Sequence, residues 1–230
     1  KPIYDLNKKK FIENKNEWSM VSGSYHTKIA MGYLNLYKLT KIKKYLICGK
    51  KILDTYSKKQ KTNGEFYSTR SSTNLHPHCY SAEGYWACGK FLNNSTYKNI
   101  ALKSIKWVLK NMNSHGFPPR LKFKKKLNFN ERIDVLSQTL RLIVLNKKNL
   151  RLNNSENLKI KKLTNNILQY QNLKKNLKQE RGGFFWGKKS NGKNTSDINT
   201  WTTAFAIQSL SILNDQKSFK LLNSNPFYLV

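Results

Sequence analysis

The sequence predicts an all-α chain assembled from helical hairpins, and three observations carry that prediction. Apolar residues recur at helical spacing from Ser24 onward. A stretch covering two such helices and their closing turn repeats, without a gap, 52 residues later, as from Gly32 to Gly84. No run alternates apolar and polar residues firmly enough to change the class.

Residues 1 to 22 are polar and Lys-rich with isolated apolar positions, and predict no independent fold. Ile29, Tyr33, Leu36, Tyr37 and Leu39 mark the first helix. After a polar break from Thr40 to Lys44, Tyr45, Cys48, Ile52, Leu53 and Tyr56 mark the second. Thr62-Asn63-Gly64 is the turn that closes this hairpin. The same unit then returns: His26, Ala30, Gly32, Tyr33, Lys38, Tyr45, Lys51, Lys58 and Gly64 recur as His78, Ala82, Gly84, Tyr85, Lys90, Tyr97, Lys103, Lys110 and Gly116.

A fifth helix is expected over residues 131 to 146 (Ile133, Leu136, Leu140, Ile143, Val144) and its partner over 156 to 171 (Leu158, Leu163, Ile167, Leu168, Tyr170). The Gly-aromatic loop from Gly182 to Gly187 and a polar stretch to Asp197 lead into a seventh helix from Asn199 to Leu213. Connections between hairpins are longer than those within them and carry Gly, aromatic and His residues. In a ring of hairpins the Ala- and Gly-bearing first helices pack inside and the Lys-rich second helices outside. The long loops then gather at one mouth, where a rigid scaffold usually carries its chemistry.

Length and composition set the outer bounds. A chain of 230 residues and 26.9 kDa is read as one domain over 1–230, with 1–22 a poorly defined N-terminal segment. Forty-three Lys and Arg against twelve Asp and Glu give a formal charge of +31, which favours a polyanionic partner. Arg stands at only six positions, so 37 of the basic residues are Lys, and AT-rich codons account for the same bias. Specific nucleic-acid binding is not expected, because Lys lacks the bidentate fork of Arg and the Lys runs have no interleaved aromatic platform. Three Cys make no disulfide framework and suit a reducing compartment, so a cytoplasmic location is expected. No apolar run is long enough to span a bilayer.

Several motifs resemble those of α/α-toroid proteins. These are His76-Pro77-His78-Cys79-Tyr80-Ser81-Ala82-Glu83-Gly84, the Asn63-Gly64-Glu65-Phe66 turn, Glu131-Arg132-Ile133-Asp134 before a helix, and Gly182-Gly183-Phe184-Phe185 ahead of the Asn199 to Ala206 helix. The resemblance covers residues 22 to 213 and includes six-hairpin glycosidases, sugar 2-epimerases, terpenoid cyclases and proteins of bacterial surface-polysaccharide gene clusters. It implies an incomplete (α/α) toroid, since seven helices fall short of a complete six-hairpin ring; a missing run of N-terminal hairpins agrees with a chain that begins at Lys1. It further implies a carbohydrate substrate, neutral or anionic, and a hydrolase, lyase or epimerase. Gln60 to Gly64 and Gln179 to Gly183 resemble the turn motif of terpenoid cyclases, but no Asp-rich acid motif accompanies them. The Cys-His-Gly signature of lanthionine cyclases is absent.

The candidate catalytic residues are Glu83, Asp134, His78 and His26. Glu83 replaces Met31 of the first repeat, an apolar position turned into a carboxylate whose burial favours general acid or base work. The alternative is a Glu83 that points outward or pairs with a Lys. Asp134 at the start of the fifth helix is the second carboxylate, or simply a residue favoured by the helix dipole. His26 and His78 occupy equivalent positions and suit proton transfer; the alternative is a repeated structural hydrogen bond to a neighbouring loop.

Candidate substrate-binding residues are Arg70, Arg132, Tyr80, Tyr25, Trp186, Trp201 and His76. The two arginines suit a carboxylate or phosphate and the aromatic residues a sugar ring. Phe205, four residues after Trp201, argues that Trp201 belongs to the core. No cofactor and no metal are expected, since His-x-His-Cys alone is a weak zinc pattern. The rival reading is a non-catalytic basic helical scaffold that binds polyanions through its Lys surface.

Overall fold

The computed structural model describes residues 3–5, 7–12, 18–69, 71–173, 180–189 and 192–229. The backbone divides into two compact units: Lys1–Ser104 with Leu121–Lys126, and Ile105–Arg120 with Leu127–Val230. Among the described residues there are eight α-helices: α1 (Thr27–Thr40), α2 (Lys43–Ser57), α3 (Leu75–Phe91), α4 (Ser95–Asn111), α5 (Ile133–Leu150), α6 (Asn154–Leu168), α7 (Thr200–Asn214) and α8 (Gln216–Ser224). The chain is therefore all-α in class, with helices at or near every predicted place.

The helices differ in burial as the hairpin reading requires. In α3, every residue from Leu75 to Gly89 except His76 and Tyr80 is buried, and in α5 burial is unbroken from Ile133 to Asn146. Helices apolar or small all round bury their whole circumference. By contrast, α2 buries only Gly49 and Leu53, and α6 only Leu163 and Ile167, leaving their Lys faces in water.

In the first unit, α1 packs on both α2 and α3. The α1–α3 approach is set by Gly84: a Cβ there would lie 2.4 Å from the Thr27 carbonyl carbon. Thr27 Oγ1 donates to Ser81 O at 3.2 Å, and Ser81 Oγ donates to Ser24 Oγ at 2.8 Å across the same seam. In the second unit, α5 packs on α6 and α7. Asn153 caps α6 in a capping box with Glu156, and Asn199 caps α7 by accepting from Thr202 N.

The 52-residue repeat is present in the turn hydrogen bonds as well as in the letters. Lys61 N donates to Glu65 O and Gly64 N to Lys61 O; Asn113 N donates to Phe117 O and Gly116 N to Asn113 O. Gly64 and Gly116 both carry positive φ, 93° and 82°. That left-handed conformation is the reason both turns are glycine. Gln60 Nε2 ties the first turn to α4 through Ile100 O at 2.8 Å and Ser104 Oγ at 2.9 Å. Gln179, at the start of the second such motif, lies outside the described residues.

The helix count is corrected. The sequence shows seven helices, and an eighth, α8, follows α7 directly; Asp215 caps it by accepting from Lys217 N and Ser218 N. Short strands also exist. Backbone pairing joins β1 (Ile3–Asp5) to β2 (Lys10–Ile12) and β3 (Ser72–Asn74) to β4 (Leu121–Phe123), while β5 (Lys126–Asn128) follows. Three residues are too few to display an alternation, which is why no strand was legible. The first helix begins at Thr27, after a 3₁₀ turn at Ser24–His26.

The α1–α3 seam yields a direct expectation. Gly84→Ala forces Thr27 backbone away from α3, and overpacking of this kind costs about 1–3 kcal/mol. A drop in the urea-unfolding free energy of that size, with helical circular dichroism retained at low denaturant, is the expected result.

Candidate active site

Each unit carries its own group of candidate residues. In the first, His76, Tyr80 and Glu83 stand at positions i, i+4 and i+7 of α3 and so share one face. His76 and Tyr80 are half-buried with ring centroids 4.4 Å apart. Glu83 is fully buried, and its Oε2 is 2.8 Å from Lys28 Nζ on α1. Lys28 Nζ also lies 5.4 Å from the Tyr80 ring centroid. Trp18 meets His76 at 5.7 Å and Tyr25 edge-on at 5.2 Å, and Tyr25 meets His26 at 4.4 Å. Burial and the Tyr56 phenol nearby push the Tyr25 hydroxyl above its ordinary pKa. The result is a half-exposed surface of two tyrosines, one tryptophan and two histidines, with an ion-paired carboxylate beneath.

Glu83 thus combines the two readings the sequence left open, since it is an inward carboxylate and it pairs with a Lys. The pair exists because Gly84 lets α1 come close enough for Lys28 to reach it. Removing a lone partner from a buried ion pair is costly, so Lys28 and Glu83 fix each other.

His78 is placed differently from the other α3 residues. It is 1% exposed, its Nδ1 accepts from Phe66 N at 3.3 Å, and its Nε2 is 3.2 Å from Ser104 O. A carbonyl only accepts, so Nε2 carries the proton. Both ring nitrogens are occupied by backbone of the neighbouring turn and helix, which is the structural hydrogen bond the sequence offered as the alternative. Burial drives its pKa down to about 4, against opposing contributions from Ser104, Glu65 and Phe66. The repeat-equivalent His26 instead stays half-exposed, between Tyr25 and Tyr56 at 6.0 Å.

Glu65, in the turn before α3, is a buried carboxylate that sequence reasoning did not select. It is 1% exposed, accepts from Thr73 Oγ1 at 2.8 Å and meets Lys122 Nζ at 2.9 and 2.8 Å. Burial raises its pKa, but Lys122, Thr73 and Asn63 outweigh that and hold it below the ordinary value. Its repeat partner is Phe117, and that departure was the available signal.

In the second unit, the Glu131-Arg132-Ile133-Asp134 motif is stitched to the Gly-aromatic loop. Ile133 N donates to Trp186 O at 3.0 Å, Lys188 N to Glu131 O at 2.9 Å, and Arg132 bridges Gly187. Arg132 forks onto Asp134, with Nε 3.1 Å from Oδ1 and Nη2 on Oδ2, and its guanidinium centre lies 4.5 Å from the Trp186 ring centroid. Asp134 also accepts from Val135 N at 2.9 Å. Glu131 pairs with Lys188 at 2.6 Å and accepts from the Tyr170 hydroxyl. The face of Trp186, expected to stack on a sugar, is thus engaged by the protein's own arginine.

A polar stripe runs down α5 from Asp134 through Gln138 to Arg141, at 2%, 0% and 0% exposure. Arg141 donates to Gln208 and lies 4.8 Å from the Phe205 ring centroid. The Gln138 amide has no hydrogen-bond partner among the described residues, on either oxygen or nitrogen. Its signal in the sequence was a polar residue one helical turn after Asp134 and one turn before Arg141. Trp201 is 50% exposed, edge-on to Phe205 at 5.0 Å, which corrects its reading as core. Arg70 lies outside the described residues. No group of three or more His, Cys, Asp and Glu among the described residues is gathered to hold a metal ion.

Solved structures share this architecture. Cellobiose 2-epimerase from Bacillus thermoamylovorans B4167 superposes with a TM-score of 0.61 at 13% identity, over 79% of this chain and 51% of that one. A family 105 glycoside hydrolase of C. acetobutylicum ATCC 824 gives 0.64 at 12%, over 93% and 62%, and a D-mannose isomerase 0.65 at 12%, over 90% and 59%. The fold is that of the α/α-toroid proteins. This toroid chain spans between about half and three-fifths of the length of those three structures. No family model and no curated protein sequence matches the chain.

The His78 geometry sets a pH dependence for the toroid. Its pKa is lower folded, about 4, than the ordinary 6.5, so the unfolded chain binds the extra proton between those values. Stability is full above pH 6.5 and falls by on the order of 3 kcal/mol on acidification to pH 4. Glu65, also lowered, adds a further loss below its ordinary 4.5. Urea unfolding across this range shows the slope, and His78→Gln flattens the part between pH 6.5 and 4.

Proposed function

We propose that this α/α-toroid chain is a carbohydrate-active enzyme, a hydrolase, lyase or epimerase, working on surface polysaccharide or its sugar precursors. The observation that carries the reading is the α3 face: a buried carboxylate, Glu83, beneath a half-exposed surface of His76, Tyr80 and Tyr25. The sugar-processing proteins that share the fold support it. So does the sparse set of three Cys, which suits the reducing cytoplasm where sugar precursors are built.

In this reading Glu83 moves the proton at the reacting sugar carbon or glycosidic oxygen, and Lys28 balances its charge. His76 and His26 relay protons to water, while Tyr80 and Tyr25 seat the sugar ring. His78 is a positioning residue, holding the turn before α3. The second unit carries its own candidate carboxylate, Asp134, held by the Arg132 fork. Gln138 offers its amide to hydroxyls near Asp134.

Proton NMR of neutral and acidic oligosaccharides incubated with the chain in D2O separates the chemistries. New anomeric signals report hydrolysis, and loss of a ring-carbon proton reports epimerisation or elimination. Glu83→Gln lowers turnover by about 10²-fold or more with helical circular dichroism unchanged. A normally folded, active variant removes Glu83 from the mechanism. Gln138→Leu is expected to leave stability unchanged or raise it by about 1 kcal/mol, because it deletes an unpaired buried amide, yet to lower kcat/KM about tenfold. Loss of stability instead assigns Gln138 a structural role.

The charge of +31 favours one second reading, a scaffold that binds polyanions through the Lys faces of α2, α4 and α6. Such binding weakens steeply with salt and survives replacement of Glu83 and Asp134.

A further inference from the structure

The second unit contains a guanidinium that neither the sequence reading nor the proposed mechanism uses. Arg120 follows Pro118 and Pro119, both buried, so the backbone that presents it is stiff. Its guanidinium centre lies 5.7 Å from the ring centroid of Trp186, the indole that Arg132 approaches to 4.5 Å. Arg120 is half-buried and, among the described residues, no carboxylate stands within ion-pair distance of it.

The nearby carboxylates are already matched. Asp134 is forked by Arg132, and Glu131 is held by Lys188 and Tyr170. One indole therefore gathers two guanidiniums against one adjacent carboxylate, leaving a surplus positive charge in a partly desolvated place. Burial and the like charge of Arg132 both lower the Arg120 pKa, with Asp134 only partly opposing them. Arrangements of this kind are relieved by an oxyanion, which a guanidinium fork binds bidentately.

We propose that Arg120 and Arg132, gathered on Trp186, form a binding site for the oxyanion group of an acidic sugar. The inference rests on the carbohydrate reading above and narrows its substrate class. The shared chemistry is a planar or tetrahedral oxyanion on a sugar ring, either a uronate carboxylate or a sulfate ester.

Isothermal titration calorimetry in 0.3 M salt, where diffuse attraction to a basic surface is screened, tests it. The probes are trigalacturonate, sulfated maltotriose and neutral maltotriose. The native chain is expected to bind one acidic probe about tenfold more tightly than the neutral one, and which probe it is identifies the oxyanion. Arg120→Ala abolishes that preference without weakening the neutral sugar, and Arg120→Lys, with the charge but not the fork, retains part of it.

Lys161→Ala, an exposed charge on α6, leaves the preference intact; an equal loss there assigns the preference to net charge and overturns the proposal. It is overturned as well if native protein shows no preference, or if Arg120→Ala keeps it. Neutral binding without an acidic preference sinks this inference alone. No binding of any sugar sinks the carbohydrate reading, and this inference with it. Thermal unfolding of each variant, with Arg120→Gln as the conservative replacement, separates lost binding from lost folding.

Discussion

A carboxylate taken out of water needs a cation beside it, and this chain has few carboxylates and many cations. Four of its twelve acidic residues illustrate the constraint: Glu65 with Lys122, Glu83 with Lys28, Glu131 with Lys188 and Asp134 with Arg132. Each pair joins segments that the sequence separates or turns sharply between. Lys122 on β4 reaches back to the turn before α3, and Lys28 reaches from α1 to α3. Such pairs add little net free energy once desolvation is counted, but breaking one strands a charge, so they select one arrangement of the backbone over its near neighbours. The surrounding features follow from these four choices. Gly84 permits the approach of Lys28, and the Gly-aromatic loop carries Lys188 to Glu131.

The repeat explains how a plain helical scaffold acquires chemistry. Both copies keep the turn hydrogen bonds, the positive-φ glycine and the imidazole at the head of the first helix. They differ where Met31 becomes Glu83 and where Glu65 becomes Phe117. The two buried carboxylates, Glu83 and Glu65, thus stand at positions where the copies do not match. Equivalence of place is not equivalence of surroundings, however: His78 is locked between two backbone groups, while His26 lies among aromatic rings at the surface.

Much of the architecture was legible because helical periodicity and an ungapped repeat are long-range signals. The places of α1 to α7, the closing turns and the small residues that let α1 meet α3 all follow from letters alone. Other features depend on contacts between distant segments. Trp18 lies in a segment with no pattern of its own and gains meaning only against His76 and Tyr25. Arg120 looks like any surface arginine until the Gly-aromatic loop brings Trp186 to it. Gln138 stands in a helix whose burial cannot be judged until α7 packs on α5. The end of the chain was missed for a simpler reason: α8 is short and polar, and only the Asp215 cap distinguishes it from a tail.

The thiols also have a practical consequence. Cys79 and Cys88 have no exposed surface, and burial holds the Cys88 sulfhydryl well above its usual pKa, so neither offers a thiolate to an electrophile. Cys48, on α2, retains partial solvent contact. A maleimide fluorophore or spin label added to the untouched polypeptide therefore attaches at one defined point. That makes spectroscopic work feasible without first engineering away any native sulfur.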